Sequence, residues 1–169
     1  YAHRQGIITV FDPNLRLNLW DSAEHARDCI LRAMPYADLV KVSEEELVFL
    51  TGESDLEKAA AALRSQFAMK ALLLTLGPAG CIAYVGDDRY TQPAADVETI
   101  DTTGAGDSFT GGFLYCLLQG KADITERTPA EIQDMLAFAS AVGGLTTTKK
   151  GGIPALPSYN DVLNLLHRI

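Results

Sequence analysis

The sequence lacks the features that would send it to a membrane, a disulfide framework or a nucleic acid. No unbroken apolar run approaches the ~18 residues of a spanning helix. Its three cysteines, Cys29, Cys81 and Cys116, are odd in number, far apart and without metal-ligand spacing. They fit reduced thiols and a cytoplasmic location better than a disulfide scaffold. Histidine is equally sparse, and His3, His25 and His167 have no patterned partners. Positive charge is in deficit: 14 Lys+Arg against 22 Asp+Glu leave a net −8. That argues against non-specific binding to nucleic acid or anionic membrane, while leaving room for a local pocket for a small anion.

What is present is an ordinary globular composition, 47% apolar and 21% charged over 169 residues. This suffices for one domain with a sizeable core. Ile7–Phe11, a continuous apolar, β-rich run, reads as a strand buried on both faces, Leu39–Val42 as a short strand and Ala71–Leu76 as a second buried strand. Between them, helices are expected from Asp21 or Ser22 to Ala33, with Glu24 placed for a capping box on Asp21. Two more are expected from Ser43 to Gly52 and from Asp55 to Phe67. Cys81–Val85, Gly86-Asp-Asp88 and Arg89–Gln92 read as a hairpin, and Asp96–Ile100 as a further strand. Three C-terminal helices should run from Gly104 to Leu118, from Pro129 to Thr148 and from Ser158 to Ile169, with Lys121–Thr128 as a loop. Val162, Leu163, Leu166 and Ile169 share a helical face and read as core. Alternating strands and helices plus one hairpin give an α/β sheet covered on both faces. The chain opens on Tyr1, and Gly6 follows basic residues as a helix terminator would. The expectation is therefore a fragment cut before a strand of its central sheet.

The segment richest in chemistry is Asp101-Thr-Thr-Gly-Ala-Gly-Asp107-Ser-Phe-Thr-Gly-Gly-Phe113. Gly104, Ala105 and Gly106 lie where a loop should enter a helix, so exposed N–H groups and the helix dipole can receive a phosphate. Asp107 falls in the first turn beside that place. A carboxylate there is unfavourable unless it has a task, and taking a proton from an attacking hydroxyl is such a task. Gly111-Gly112 suggests tight packing of this helix on a strand. The alternative for the whole segment is an Asp at a helix start with glycines tolerated for packing. A Walker loop is excluded because Gly112 stands where its Lys is needed. A dinucleotide fingerprint is excluded because Phe109 stands in place of its third glycine.

This segment closely resembles the C-terminal signature of the PfkB (ribokinase-like) carbohydrate kinases. Further segments resemble that family in order: Phe11-Asp-Pro-Asn-Leu-Arg-Leu-Asn-Leu-Trp20, Lys41-Val-Ser-Glu-Glu-Glu46 with Leu50-Thr-Gly52, Thr75-Leu-Gly-Pro-Ala-Gly80, and Leu145-Thr-Thr-Thr-Lys-Lys-Gly-Gly-Ile-Pro154. The resemblance implies the C-terminal portion of a ribokinase-like three-layer α/β/α sandwich, spanning residues 1–169, with the N-terminal sugar-binding part and lid absent. It also implies ATP-dependent phosphorylation of a sugar hydroxyl, fructose first and 2-keto-3-deoxygluconate second, with Mg²⁺ and, as a further expectation, K⁺. A homodimer of the full-length protein is compatible with it. A nucleotide-binding half with no turnover of its own is the competing state.

Residue by residue, the resemblance makes Asp107 the catalytic base and Gly104-Ala105-Gly106 the anion hole. Glu46 would order water around Mg²⁺, although Ser43-x-x-Glu46 is also a complete capping box. Ser43, where the family usually has Asn, together with Thr75, Gly77 and Gly80, would line the nucleotide. Their alternative is cap and turn chemistry. Ser140 would sit beside adenine, or pack one helix on another. Asp101 and Thr103 match monovalent-cation positions, or serve loop and N-cap duty. Arg16 is the substrate-side candidate, suited to an acidic sugar or phosphate, against the alternative of a structural salt bridge. Asn14 stands beside it, in the substrate segment or simply in an Asx-turn. An esterase reading of Gly106-Asp107-Ser108 fails to find its late Asp-x-x-His, since the chain has Asn164-Leu-Leu-His167.

Overall fold

Three runs of β-favouring residues nucleate a parallel sheet in the computed structural model, which describes residues 1–120 and 123–167. The strands are β1 (Val10–Phe11), β2 (Leu39–Ser43), β3 (Ala71–Thr75), β4 (Cys81–Val85) and β5 (Asp88–Gln92), ordered β1-β2-β3-β4-β5. β1 pairs parallel to β2 with Phe11 opposite Val40, and β2 parallel to β3 with Lys41 opposite Leu73. β4 and β5 are neighbours joined by two residues, Gly86 and Asp87, a link short enough only for an antiparallel pair. The helices are α1 (Ala23–Ala33), α2 (Glu44–Thr51), α3 (Leu56–Gln66), α4 (Ala105–Leu118), α5 (Pro129–Thr146) and α6 (Tyr159–Leu166).

The described residues fall into two compact units, Tyr1–Leu76 with Ala83–Asp88, and Gly77–Ile82 with Arg89–Ile169. The core of the first is Leu39, Val40, Val42, Leu47, Leu63, Leu72 and Leu74, all essentially inaccessible. The second is built on α4 against α5 and α5 against α6, with Phe113, Leu117, Ile132 and Leu136 buried between them.

Local chemistry explains most boundaries. Ser22 caps α1 by accepting the His25 N–H, so Glu24 makes no box with Asp21. Asp55 caps α3, while Ser43, Thr128 and Ser158 open α2, α5 and α6 with complete capping boxes. Gly52 ends α2 in the left-handed region, as Gly6 ends the short 3₁₀ turn His3–Gln5.

Four further sequence expectations differ from the structure. β1 is two residues long rather than five, because Thr9 spends its N–H on the Asp38 carboxylate instead of a ladder partner. That stretch is not buried on both faces either, with Ile7 55% and Val10 36% exposed. Asp96–Ile100 is not a strand. It runs along α5, with the N–H groups of Ile100 and Asp101 both donated to the Thr147 carbonyl and Ala95 packed against Gly144. Finally, Gly112 packs α4 on a helix, not on a strand: a Cβ there would meet Val142 and Ala139 of α5 at 3.0–3.2 Å. Of the stripe expected as core on α6, Val162 is buried while Leu163 and Leu166 are only half-buried; Ile169 and the first residues of the Lys121–Thr128 loop lie outside the described residues.

Candidate active site

In the second unit, everything turns on how the chain enters α4. Gly104 takes φ 79°, which a side chain resists, and a Cβ on it would stand 3.2 Å from the Cα of Gly152. The helix therefore starts against a glycine loop, and its N-cap has no side chain accepting from the first turn. The Ala105 N–H turns back to the Thr102 carbonyl at 3.1 Å, and Ser108 N–H opens the helical ladder on Gly104. Among the described residues, the N–H groups of Gly106 and Asp107 have no acceptor. A 14-residue helix thus presents two unspent donors and the positive end of its dipole at one place, where an anion fits. Asp107 is exposed in the same turn, whereas Ser108 is buried and donates its hydroxyl to the Ala105 carbonyl at 3.0 Å. A buried serine bonded within its own helix lends the esterase reading no support.

Asp101 fixes the loop ahead of the helix. Its Oδ1 accepts from the N–H and hydroxyl of Thr103, at 3.0 and 2.7 Å, and its Oδ2 accepts the Gly151 N–H at 2.9 Å. The Gly151 bond first, then the two from Thr103, pull its pKa from 3.8 down to about 2. Asp101 is therefore a firmly ionised staple joining the Thr102–Gly104 turn to the Gly151-Gly152 loop. Ser140 is buried and donates its hydroxyl to the Pro93 carbonyl at 3.0 Å, so its visible work is to hold that segment on α5. Gly77 and Gly80 both have positive φ, and a Cβ on Gly80 would fall 2.1 Å from the Gln92 carbonyl oxygen. Only glycine fits that turn.

In the first unit, a second constellation gathers where β1 ends. Asp12 Oδ2 meets Lys41 Nζ at 3.3 Å, with Lys41 only 7% exposed. Burial pushes the Asp12 carboxyl above its ordinary range, and the Lys41 ammonium opposes that shift. Asp12 Oδ1 accepts the Asn14 N–H at 3.2 Å, closing an Asx-type turn in which Asn14 holds φ 45°. Glu46 is buried with both oxygens occupied: Oε2 takes the Ser43 N–H at 2.8 Å and Oε1 the Leu15 N–H at 2.7 Å. Arg16 is exposed, donates to the Leu15 carbonyl at 3.2 Å, and makes no ion pair among the described residues. The structural salt bridge considered for it is absent there. Thr75 ends β3 with a long hydroxyl contact, 3.4 Å, to the Val42 carbonyl.

The described residues contain no group of three His, Cys, Asp or Glu able to cage a metal. Sequence reasoning passed over Lys41, Asp12 and Gly151. A lone lysine inside the apolar run Leu39–Val42 was the signal for the first.

An uncapped, glycine-lined helix start with an aspartate in its first turn, on this α/β topology, is suited to an anionic ligand such as a phosphate. The chain belongs to the pfkB family carbohydrate kinases, whose sequence profile matches residues 1–158. It is 42% identical over 165 residues to Fructokinase-1 of Oryza sativa subsp. japonica, covering 98% of this chain and 50% of that protein. The fructokinase of Vibrio cholerae O395, solved with fructose, ADP and calcium ion bound, superposes with a TM-score of 0.89 at 36% identity. That match covers 98% of this chain and 52% of that one. The fructokinase of Xylella fastidiosa, solved with bound ATP, gives 0.89 at 32% identity, over 99% and 54%. The fold is the ribokinase-like α/β sandwich. The chain spans about half the length of these relatives.

Proposed function

We propose that this chain is the nucleotide-handling portion of an ATP-dependent sugar kinase whose acceptor is fructose. The observation that carries the reading is the start of α4, where two unspent N–H donors and the exposed Asp107 share one helical turn. Family membership supports the reaction class, and the fructokinases among its relatives favour the acceptor.

Asp107 accepts the proton of the attacking sugar hydroxyl. Gly104-Ala105-Gly106 forms the anion hole, in which Gly106 supplies an uncommitted N–H. A single preorganised donor of this kind is worth about 3 kcal/mol in the transition state. ATP, when bound, supplies the phosphoryl group and carries the divalent cation, for which Glu46 would hold a water. Ser43, Thr75, Gly77, Gly80 and Ser140 are assigned to the nucleotide side. Asn14 and Arg16 are assigned to the acceptor side, and Asp101 with Thr103 to a monovalent cation behind the hole. Because the chain spans half of its relatives, nucleotide binding is assigned to the 169 residues and turnover to a protein carrying both halves.

The test is Asp107→Asn in the full-length protein, with ATP and Mg²⁺ against a sugar panel. Turnover should fall by about 10³-fold or more while ATP affinity stays within twofold. Turnover near wild type would exclude Asp107 as the base. One observation favours a second acceptor: a guanidinium with no carboxylate partner among the described residues, as at Arg16, suits an acidic sugar such as 2-keto-3-deoxygluconate. Preference for the acid sugar in the same panel would establish it.

A further inference from the structure

Lys41 sits in the middle of β2 between the inaccessible Val40 and Val42, at a position where an aliphatic residue would satisfy the strand. Burying an ammonium–carboxylate pair there gives little stability, since well-packed apolar replacements for such pairs are often neutral or better. What the pair supplies is geometry. Parallel pairing of Phe11 with Val40 brings the next residue, Asp12, alongside Lys41, and the two charges meet at 3.3 Å. The other oxygen of Asp12 closes the turn on Asn14, the one described non-glycine residue with positive φ. Glu46 then grips the far end of the same turn through the Leu15 N–H. The irregular turn Asp12–Leu15 is thus held at both ends by charged side chains from β2 and α2; its exposed member is Asn14, and Arg16, also exposed, follows directly after it.

We infer that Lys41 is a positioning residue: through Asp12 it holds the left-handed turn at Asn14 and thereby sets how Asn14 and Arg16 meet the acceptor sugar. The inference rests on the kinase reading above. It predicts a residue that touches no substrate yet controls acceptor affinity.

The experiment compares wild type, Lys41→Met and the double variant Asp12→Asn/Lys41→Met in the full-length protein. Sugar and ATP are varied separately, urea unfolding is measured alongside, and amide exchange is followed at Leu15. Lys41→Met leaves a buried carboxylate alone and should lower the urea midpoint. The double variant removes both charges and should recover it. In both variants the sugar KM should rise at least tenfold with the ATP KM within twofold, and Leu15 exchange should quicken at least tenfold. A double variant that recovers both the midpoint and the wild-type sugar KM would leave the pair with a structural role only and overturn the inference. Unchanged Leu15 exchange would overturn it equally. Wild type that binds ATP but phosphorylates no sugar defeats the kinase reading instead, and the exchange measurement still decides whether Lys41 holds the turn.

Discussion

Glu46 Oε1 accepts the backbone N–H of Leu15 at 2.7 Å, joining α2 to a turn 31 residues earlier in the chain. The same carboxylate completes the capping box with Ser43, so one side chain closes a helix start and pins a loop. These two duties can be separated. Ser43→Ala removes the cap hydroxyl and should cost about 1 kcal/mol, with Leu15 exchange unchanged. Glu46→Ala leaves two backbone donors without acceptors and should cost about 2–4 kcal/mol, with Leu15 exposed to exchange. Urea unfolding with residue-resolved amide exchange distinguishes them. If Glu46→Gln keeps stability within about 1 kcal/mol of wild type but weakens the Mg²⁺ dependence of turnover, the proposed water-mediated metal role gains direct support.

Asp101 gives the chain an acid-sensitive joint. Its carboxyl titrates at about 2 in the fold against an ordinary 3.8, so the folded state favours the ionised form. The contribution is therefore fully present above pH 3.8 and is lost as the pH falls through about 2. NMR titration should place the Asp101 carboxyl at the low end of the aspartates. Asp101→Asn should flatten the pH dependence of stability in that window and speed exchange at the Gly151 N–H. An Asp101 titration near 3.8 would mean the three hydrogen bonds do not persist in solution.

Much of this site was legible as text, for identifiable reasons. Capping chemistry is local, so Ser43, Thr128 and Ser158 announce their helices within four residues, and the glycines before Asp107 announce a helix start without a side-chain cap. What could not be read depends on long-range pairing. Thr9 reaches Asp38, Leu15 reaches Glu46, and Asp101 reaches Gly151, over separations of 29, 31 and 50 residues. The first shortened β1, and the second gave the capping glutamate a further duty. Asp96–Ile100 failed for a related reason: its alternating pattern fits a half-buried strand, but its partner is a helix, and periodicity does not name the partner.

The glycine at the mouth of α4 should be intolerant of any side chain. Gly104→Ala places a residue at φ 79° and sets its Cβ 3.2 Å from the Gly152 backbone. The left-handed conformation alone costs roughly 1–2 kcal/mol. Relief can come only by moving the α4 start away from the Gly151-Gly152 loop, which also disturbs the donors of Gly106 and Asp107. Unfolding should show the loss of stability, and calorimetric titration with ATP should show weakening of at least tenfold. Full retention of ATP affinity would detach the α4 start from nucleotide binding.

Two adjacent glycines in the same helix should respond with opposite signs. A Cβ on Gly111 meets nothing within 4 Å, so Gly111→Ala adds helix propensity and removes unfolded-state freedom without a clash. It should stabilise the protein by about 0.5–1 kcal/mol and leave turnover unchanged. A Cβ on Gly112 meets Val142 Cγ2 at 3.0 Å, Val142 Cβ at 3.1 Å and the Ala139 Cα at 3.2 Å. Gly112→Ala must therefore push α4 from α5. The separation would reach Gly143, where a Cβ would already crowd the Ala105 carbonyl at 3.2 Å and Phe109 at 3.3 Å, one turn from Asp107. Overpacking of this kind costs about 1–3 kcal/mol. Because the displaced helix carries Asp107, kcat should fall with stability in Gly112→Ala and in no comparable measure in Gly111→Ala. Equal responses from the two variants would show that α4 and α5 are less closely docked than the packing at Gly112 requires.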